Sequence, residues 1–197
     1  MKRWWVIFWL FASNVWAQEQ QFEIRMGGLN LGQLRSSRVG GVIRLESRVR
    51  VPLALFTLRV GYVVDSHFGT NHRLIRSRVD AETNKGTFFT TTEPQGKGYA
   101  MKSEQHGQTV EQTILQPIYW TVSRLFFEEP VGVREIYAEY YGTLMPLELR
   151  KPGHYVVTWG KNRDVYVYEK GRLQKIIKEN PWKNFEIRRP TEKDLGP

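Results

Sequence analysis

The sequence predicts a mainly β protein: a strongly curved antiparallel sheet, an open or half barrel, wrapped around one helix near residues 117–127. Three observations lead there. Short runs of alternating apolar and polar residues recur along the chain, separated by Gly-, Asn- or Pro-containing turns at meander spacing. Neither an internal repeat nor a low-complexity linker interrupts them. One segment, Ile114–Gly132 (ILQPIYWTVSRLFFEEPVG), departs from that period and reads as helical.

The strands follow in order. Phe22, Ile24 and Met26 alternate with Glu23 and Arg25, a half-buried strand that Gly27-Gly28 ends. Leu29, Leu31 and Leu34 resume an apolar series, and Gly40-Gly41 is the next turn. Ile43, Leu45, Val49 and Val51 alternate with charged residues, and beyond Pro52 the apolar set (Phe56, Leu58, Val60, Tyr62, Val64) changes parity. A bulge or strand break at the proline would produce that switch. Leu74–Ala81 is expected to point Ile75 and Val79 inward, and Asn84-Lys85-Gly86 closes a hairpin with glycine where positive φ is wanted. Thr87–Thr92, Tyr99–Ser103 and Thr109–Ile114 complete the first half.

The helix rests on Ile118, Val122, Leu125 and Phe126 at i, i+4, i+7 and i+8, with Pro117 at a tolerated first position and Pro130 as a stop. Trp120 and Phe127 form a second apolar patch, leaving a helix with little polar surface that must be covered on most of its circumference. After it, Val133–Tyr141 and Leu147–Leu149 read as strands. His154–Trp159 pairs with Asp164–Glu169, Lys170-Gly171 turns into Leu173–Lys178, and Phe185–Arg188 closes the series. The expected total is ten to twelve strands at this turn spacing.

Residues 1–17 read as an export signal. Lys2 and Arg3 precede the apolar run Trp4–Phe11, and Val15-Trp16-Ala17 supplies a cleavage site before Gln18. The run is short for a membrane span, so removal rather than anchoring is expected, and the mature chain would not span a membrane. Residues 18–190 are then one half-barrel domain and 191–197 a polar tail. The chain has no cysteine, which excludes a disulfide framework, a thiolate metal site and a cysteine nucleophile. Its net charge of +9 falls to +7 once Lys2 and Arg3 are removed. Export turns that charge away from nucleic acid and toward lipid phosphates, lipopolysaccharide or a lipoprotein, or toward a solvated basic face.

Candidate chemistry is sparse. If the loop after His67 is the two residues Gly69-Thr70, His67 lies opposite His72 with Asp65 two residues back on the same face. Two imidazoles and a carboxylate are a zinc-binding set, and a four-residue loop would dismantle it. Glu128 and Glu129 are adjacent, so on a regular element they diverge; pairing with Arg124 or Arg134 would brace the helix end against the sheet. Neither a nucleophile-elbow motif nor a phosphate loop is present, and no cofactor is expected. Aromatic residues make up 13% of the chain, enough either to fill the concave side or to line a ligand groove. Tyr119, Trp120, Phe127 and Trp159 are the groove candidates.

FEI…GGLNLGQL after the signal, the GYAM strand at Tyr99, LFFEEPVGV at Leu125–Val133 and YVYEKGRL at Tyr166–Leu173 carry a family resemblance. The chain resembles a domain-of-unknown-function family of exported bacterial proteins common in Gram-negative Bacteroidetes. The resemblance covers the whole mature chain and implies a half barrel similar to periplasmic lipoprotein carriers and receptors; it brings no activity. The expected function is non-enzymatic binding of a hydrophobic or anionic envelope ligand on the concave face. The alternatives are a structural or protein-interaction accessory of an envelope complex, with edge strands such as Phe22–Met26 pairing with a partner, and a hydrolase with an unrecognised site.

Overall fold

The computed structural model describes residues 17–52, 57–84, 86–105, 107–181 and 183–191. Residues 1–16 of the expected export signal and residues 192–197 of the expected polar tail lie outside the described residues. Fourteen strands form one antiparallel sheet. The first wing is β1 (Gln18–Met26), β2 (Leu29–Val39), β3 (Val42–Pro52), β4 (Thr57–Phe68), β5 (Leu74–Thr83), β6 (Gly86–Gln95), β7 (Gly98–Gln105) and β8 (Gln108–Ile114). The second is β9 (Glu135–Ala138), β10 (Thr143–Lys151), β11 (His154–Trp159), β12 (Asn162–Glu169), β13 (Arg172–Glu179) and β14 (Phe185–Arg188). Every wing is a simple meander, and the two join where β1 pairs with β14, through Glu23–Arg188, Ile24–Ile187 and Arg25–Glu186. The order therefore runs from β8 down to β1, across to β14 and down to β9, and the sheet is not closed.

Alternation builds the core. Across the first wing one inner row reads Ser36, Leu45, Val64, Val79, Thr90, Ser103 and Val110, each opposite the next. Leu45, Val64 and Val79 of this row share a single cluster with Tyr155, Tyr166, Leu173 and Ile176 of the second wing, so the sheet curls until its two inner faces meet. The fold class is thus mainly β with an open, curved sheet, and the strands number fourteen where ten to twelve were expected.

The helix is the principal correction. Residues 117–127 form no α-helix; the only helical geometry among the described residues is one 3-10 turn, Arg124–Phe126. The apolar spacing has a different cause: Ile118, Leu125 and Phe126 are buried because the segment is an irregular plug lodged against the sheet. Its backbone groups are taken by other elements. Leu74 N donates to Ile118 O, Tyr137 N to Trp120 O and Val122 N to Tyr137 O. β-Branched and aromatic residues fill Ile118–Val122, which lowers helix propensity, so tertiary partners win over the local period.

Smaller differences have equally specific causes. β3 and β4 pair as Pro52–Thr57, Val51–Leu58 and Val49–Val60, so the parity switch is a hairpin return and not a bulge within one strand. Ile75 is exposed because the register slips between His67 and Phe68 and throws it out of the alternation. Phe22–Met26, expected as an edge, is flanked by β2 and β14. The strand expected over Val133–Tyr141 shortens to β9, and Glu139–Gly142 turn into β10.

Candidate functional site

The plug and the turn after β9 meet in the middle of the inner face, and the meeting point is polar. Glu139, only 2% exposed, is held there with no cation among the described residues: Ser66 Oγ on β4 donates to Oε1 at 3.1 Å, Ser123 N to the same oxygen at 3.2 Å, and Val122 N to Oε2 at 3.0 Å. For Ser123 N the carboxylate takes the place of the backbone partner that a helix over 117–127 would have supplied, and for Val122 N it adds to Tyr137 O. Thr121 and Ser123 share a hydroxyl hydrogen bond at 2.9 Å, and Thr92 and Tyr137 share another at 2.7 Å. Burial pushes the Tyr62, Tyr137 and Tyr166 phenols well above the ordinary tyrosine range, with the negative charge of Glu139 adding to it. The three hydrogen bonds that Glu139 accepts all come from the chain's own donors and tie the plug to β4.

The exit of the plug is braced by charge. Arg124, 8% exposed, lies over the Trp120 ring with its guanidinium carbon 4.4 Å from the ring centre. It donates to Tyr119 O at 2.8 Å and to Glu128 Oε2 through two nitrogens, at 3.0 and 2.6 Å. Arg38 on β2 reaches the other oxygen of Glu128 at 2.5 Å. Burial alone would raise the Glu128 carboxyl, but the hydrogen bonds from Arg124 and Arg38 outweigh it and hold the group below its ordinary value. Glu129 diverges, as adjacency requires, and accepts from Tyr155 Oη on β11 at 3.0 Å. The predicted brace therefore exists, tied to Arg124 and Arg38.

The four groove candidates do not converge. Trp120 and Phe127 pack against the main core as parts of the plug, while Tyr119 is exposed. Trp159 lies at the far end of β11 and stacks on Tyr141, ring centres 4.1 Å apart at 25°. From there an aromatic chain runs inward, Tyr141 to Tyr140 at 5.0 Å and Tyr140 to Tyr62 at 6.0 Å. Sequence distance hid this chain, because Tyr62 comes from the other wing. The cross-strand register that makes its partners could not be read before β3 and β4 were paired.

The zinc-type arrangement of Asp65, His67 and His72 is not formed. The register sets His67 opposite Arg76 and Val42, and His72 stays in the loop with φ of 61°. Asp65 instead accepts two hydrogen bonds from Arg44, at 2.9 and 2.7 Å. The loop, residues 69–73, has five residues where two or four were expected.

The two ends of the half barrel differ. At the end carrying the plug, the interior is filled by Ile118, Leu125, Phe126, Ile136 and Tyr137, all at 3% exposure or less. At the other end the inner face is fringed by half-buried Met26, Val49, Val51, Tyr62, Tyr140 and Phe185, and Trp159 stands above them 46% exposed. Exposed Arg50 and Arg59 face each other across β3 and β4 at this same end, a like-charge pair without an acidic partner among the described residues. A separate groove of about 430 Å³ lies over β1–β3, lined by Glu19, Gln21, Arg35, Ser37, Arg44 and Glu46 among others. Its mixed charges and polar floor are unsuited to an apolar ligand.

No curated protein and no solved structure matches the chain. One family model does: residues 22–190, from the first buried aromatic of β1 to just past β14, match a domain of unknown function, DUF6134. The match takes in the plug, the Glu139 turn and both wings, and on that span the chain belongs to the DUF6134 family.

Proposed function

We propose that this is an exported, non-enzymatic protein that binds an amphiphile with an acidic head (a lipid, lipopolysaccharide or the acylated end of a lipoprotein) at the open end of its half barrel. The observation that carries this reading is the asymmetry of the inner face. At the plug end Ile118, Leu125, Phe126, Ile136 and Tyr137 are fully buried beneath half-buried Trp120, Val122 and Phe127, whereas the other end has a half-buried apolar fringe beside the exposed Tyr141–Trp159 stack. An apolar fringe would take the acyl portion, and Arg50 and Arg59, which project from the outer face of the same rim and have no acidic partner among the described residues, would attract the head. The N-terminal signal pattern supports delivery to the compartment where such ligands occur. Among the described residues no helix is long and apolar enough to cross a membrane.

Titration of the full chain with a fluorescent phosphatidylglycerol tests the reading. Saturable binding is expected, and Trp159→Ala should weaken it about tenfold through the lost aromatic contact. Fractionation of the producing cells should find the protein outside the cytoplasm. Absence of saturable binding, with no lipid retained in native mass spectrometry, would falsify the proposal. The interaction-accessory reading is favoured by one separate observation, the state of the β8 edge.

A further inference from the structure

The two edges of the sheet are treated in opposite ways. The β9 edge is covered by the chain itself: Thr121 bridges Tyr137 in parallel, and the Trp120 O and Val122 N bonds to Tyr137 complete the pairing. The β8 edge has no such cover. Its seven residues pair with β7 on one side, through Gln105–Gln108 to Tyr99–Ile114. On the other side no backbone partner is found among the described residues. Six of the seven are exposed, Val110 at 52% although it stands in the inner apolar row. The sequence QTVEQTI also lacks the lysine, proline or bulge with which sheet proteins blunt a free edge.

We propose that β8 is a self-recognition edge, on which a second copy of this chain adds its own β8 antiparallel, centred on Val110. The register follows from charge and from the pleat. A two-fold axis through Val110 sets Val110 against Val110, Thr109 against Glu111 and Gln108 against Gln112. Each exposed residue then meets a compatible partner, and the inner faces of both copies stay on the same side of the joined sheet. Centring on Glu111 would oppose two carboxylates, and a half-residue centre would set the inner face of one copy against the outer face of the other. Since Lys102 already approaches Glu111 from β7 at 3.7 Å, the glutamate faces a cation on one flank and would accept a hydroxyl on the other. This inference does not depend on the lipid reading, because β8 lies at the free edge of the first wing and Trp159 belongs to the second.

Analytical ultracentrifugation of the full chain over a wide concentration range is the test. A reversible shift from the mass of one chain to that of two is expected. Val110→Lys, at an exposed site, should raise the dissociation constant about tenfold or more by opposing two ammonium groups. Thr109→Lys should tighten the dimer, because it places a cation opposite Glu111 in both halves. The chain has no cysteine of its own, so Val110→Cys should form a single, oxidation-dependent dimer on a denaturing gel. Circular dichroism of each variant confirms that the fold persists. A chain that stays monomeric at every concentration overturns the proposal and leaves the edge to a strand from another protein. A dimer indifferent to both lysine substitutions overturns it as well.

Discussion

At the scale of single residues, Glu139 carries more structural weight than its place in a tyrosine-rich turn suggests. Its two oxygens receive two backbone N–H groups from the plug and one hydroxyl from β4. Glu139→Ala strands Ser66 Oγ and Ser123 N in a buried site, while Val122 N keeps its bond to Tyr137 O, so it should destabilise the fold by about 3 kcal/mol, measured by urea denaturation. Glu139→Gln keeps one acceptor oxygen and should cost less. The sequence gives no local sign of this role, because the partners come from β4 and from the plug, 73 and 16–17 residues away. Glu128 was legible by contrast: its pairing with Arg124 is a four-residue spacing that can be read directly. Arg38, the third member, lies on another strand, and only the curl of the sheet brings it in.

At the scale of elements, the strands were legible and the plug was not. Turn glycines and alternation locate nearly every hairpin, since both are local: Lys170 and Gly171, for instance, adopt φ of 51° and 74° where the two-residue turn required positive values. The plug imitates a helix because burying one side of an irregular segment can select the same spacing as a helical face. What separates the two is the fate of the backbone bonds, which depends on β5, β9 and Glu139. The turn from β9 into β10 is sensitive to substitution. Gly142 has φ of 66°, and an added methyl group would lie 2.6 Å from the Met101 sulfur on β7. Gly142→Ala should therefore lower stability by about 2 kcal/mol in thermal or urea unfolding. Met101→Ala should cost less in the Gly142→Ala chain than in the parent chain, because it relieves the clash there, while the backbone strain remains.

At the scale of the whole molecule, the buried phenols set the response to alkali. Burial pushes Tyr155 up to about 12, and Tyr62, Tyr166 and Tyr168 are raised as well. A group whose folded value is raised above its unfolded value of 10.0 contributes its stability in full below pH 10 and loses it as the pH climbs toward the folded value. The fold should thus weaken progressively above about pH 10. Phenolate absorbance should rise together with the loss of tertiary circular dichroism. Independent ionisation of every tyrosine in a still-folded chain would contradict the packing of the inner face.

The pairing of β1 with β14 has a further consequence, for the order in which the chain assembles. Every other neighbour in the sheet is also a neighbour in sequence. Hairpins of that kind close short loops at small entropic cost. The seam closes a loop of 165 residues between Glu23 and Arg188, for which the length-dependent cost is about 4.5 kcal/mol. Two wings can therefore zip strand by strand from their own turns, while the seam gains its entropy back only when both are in place. The first and last strands of the domain act as its clasp.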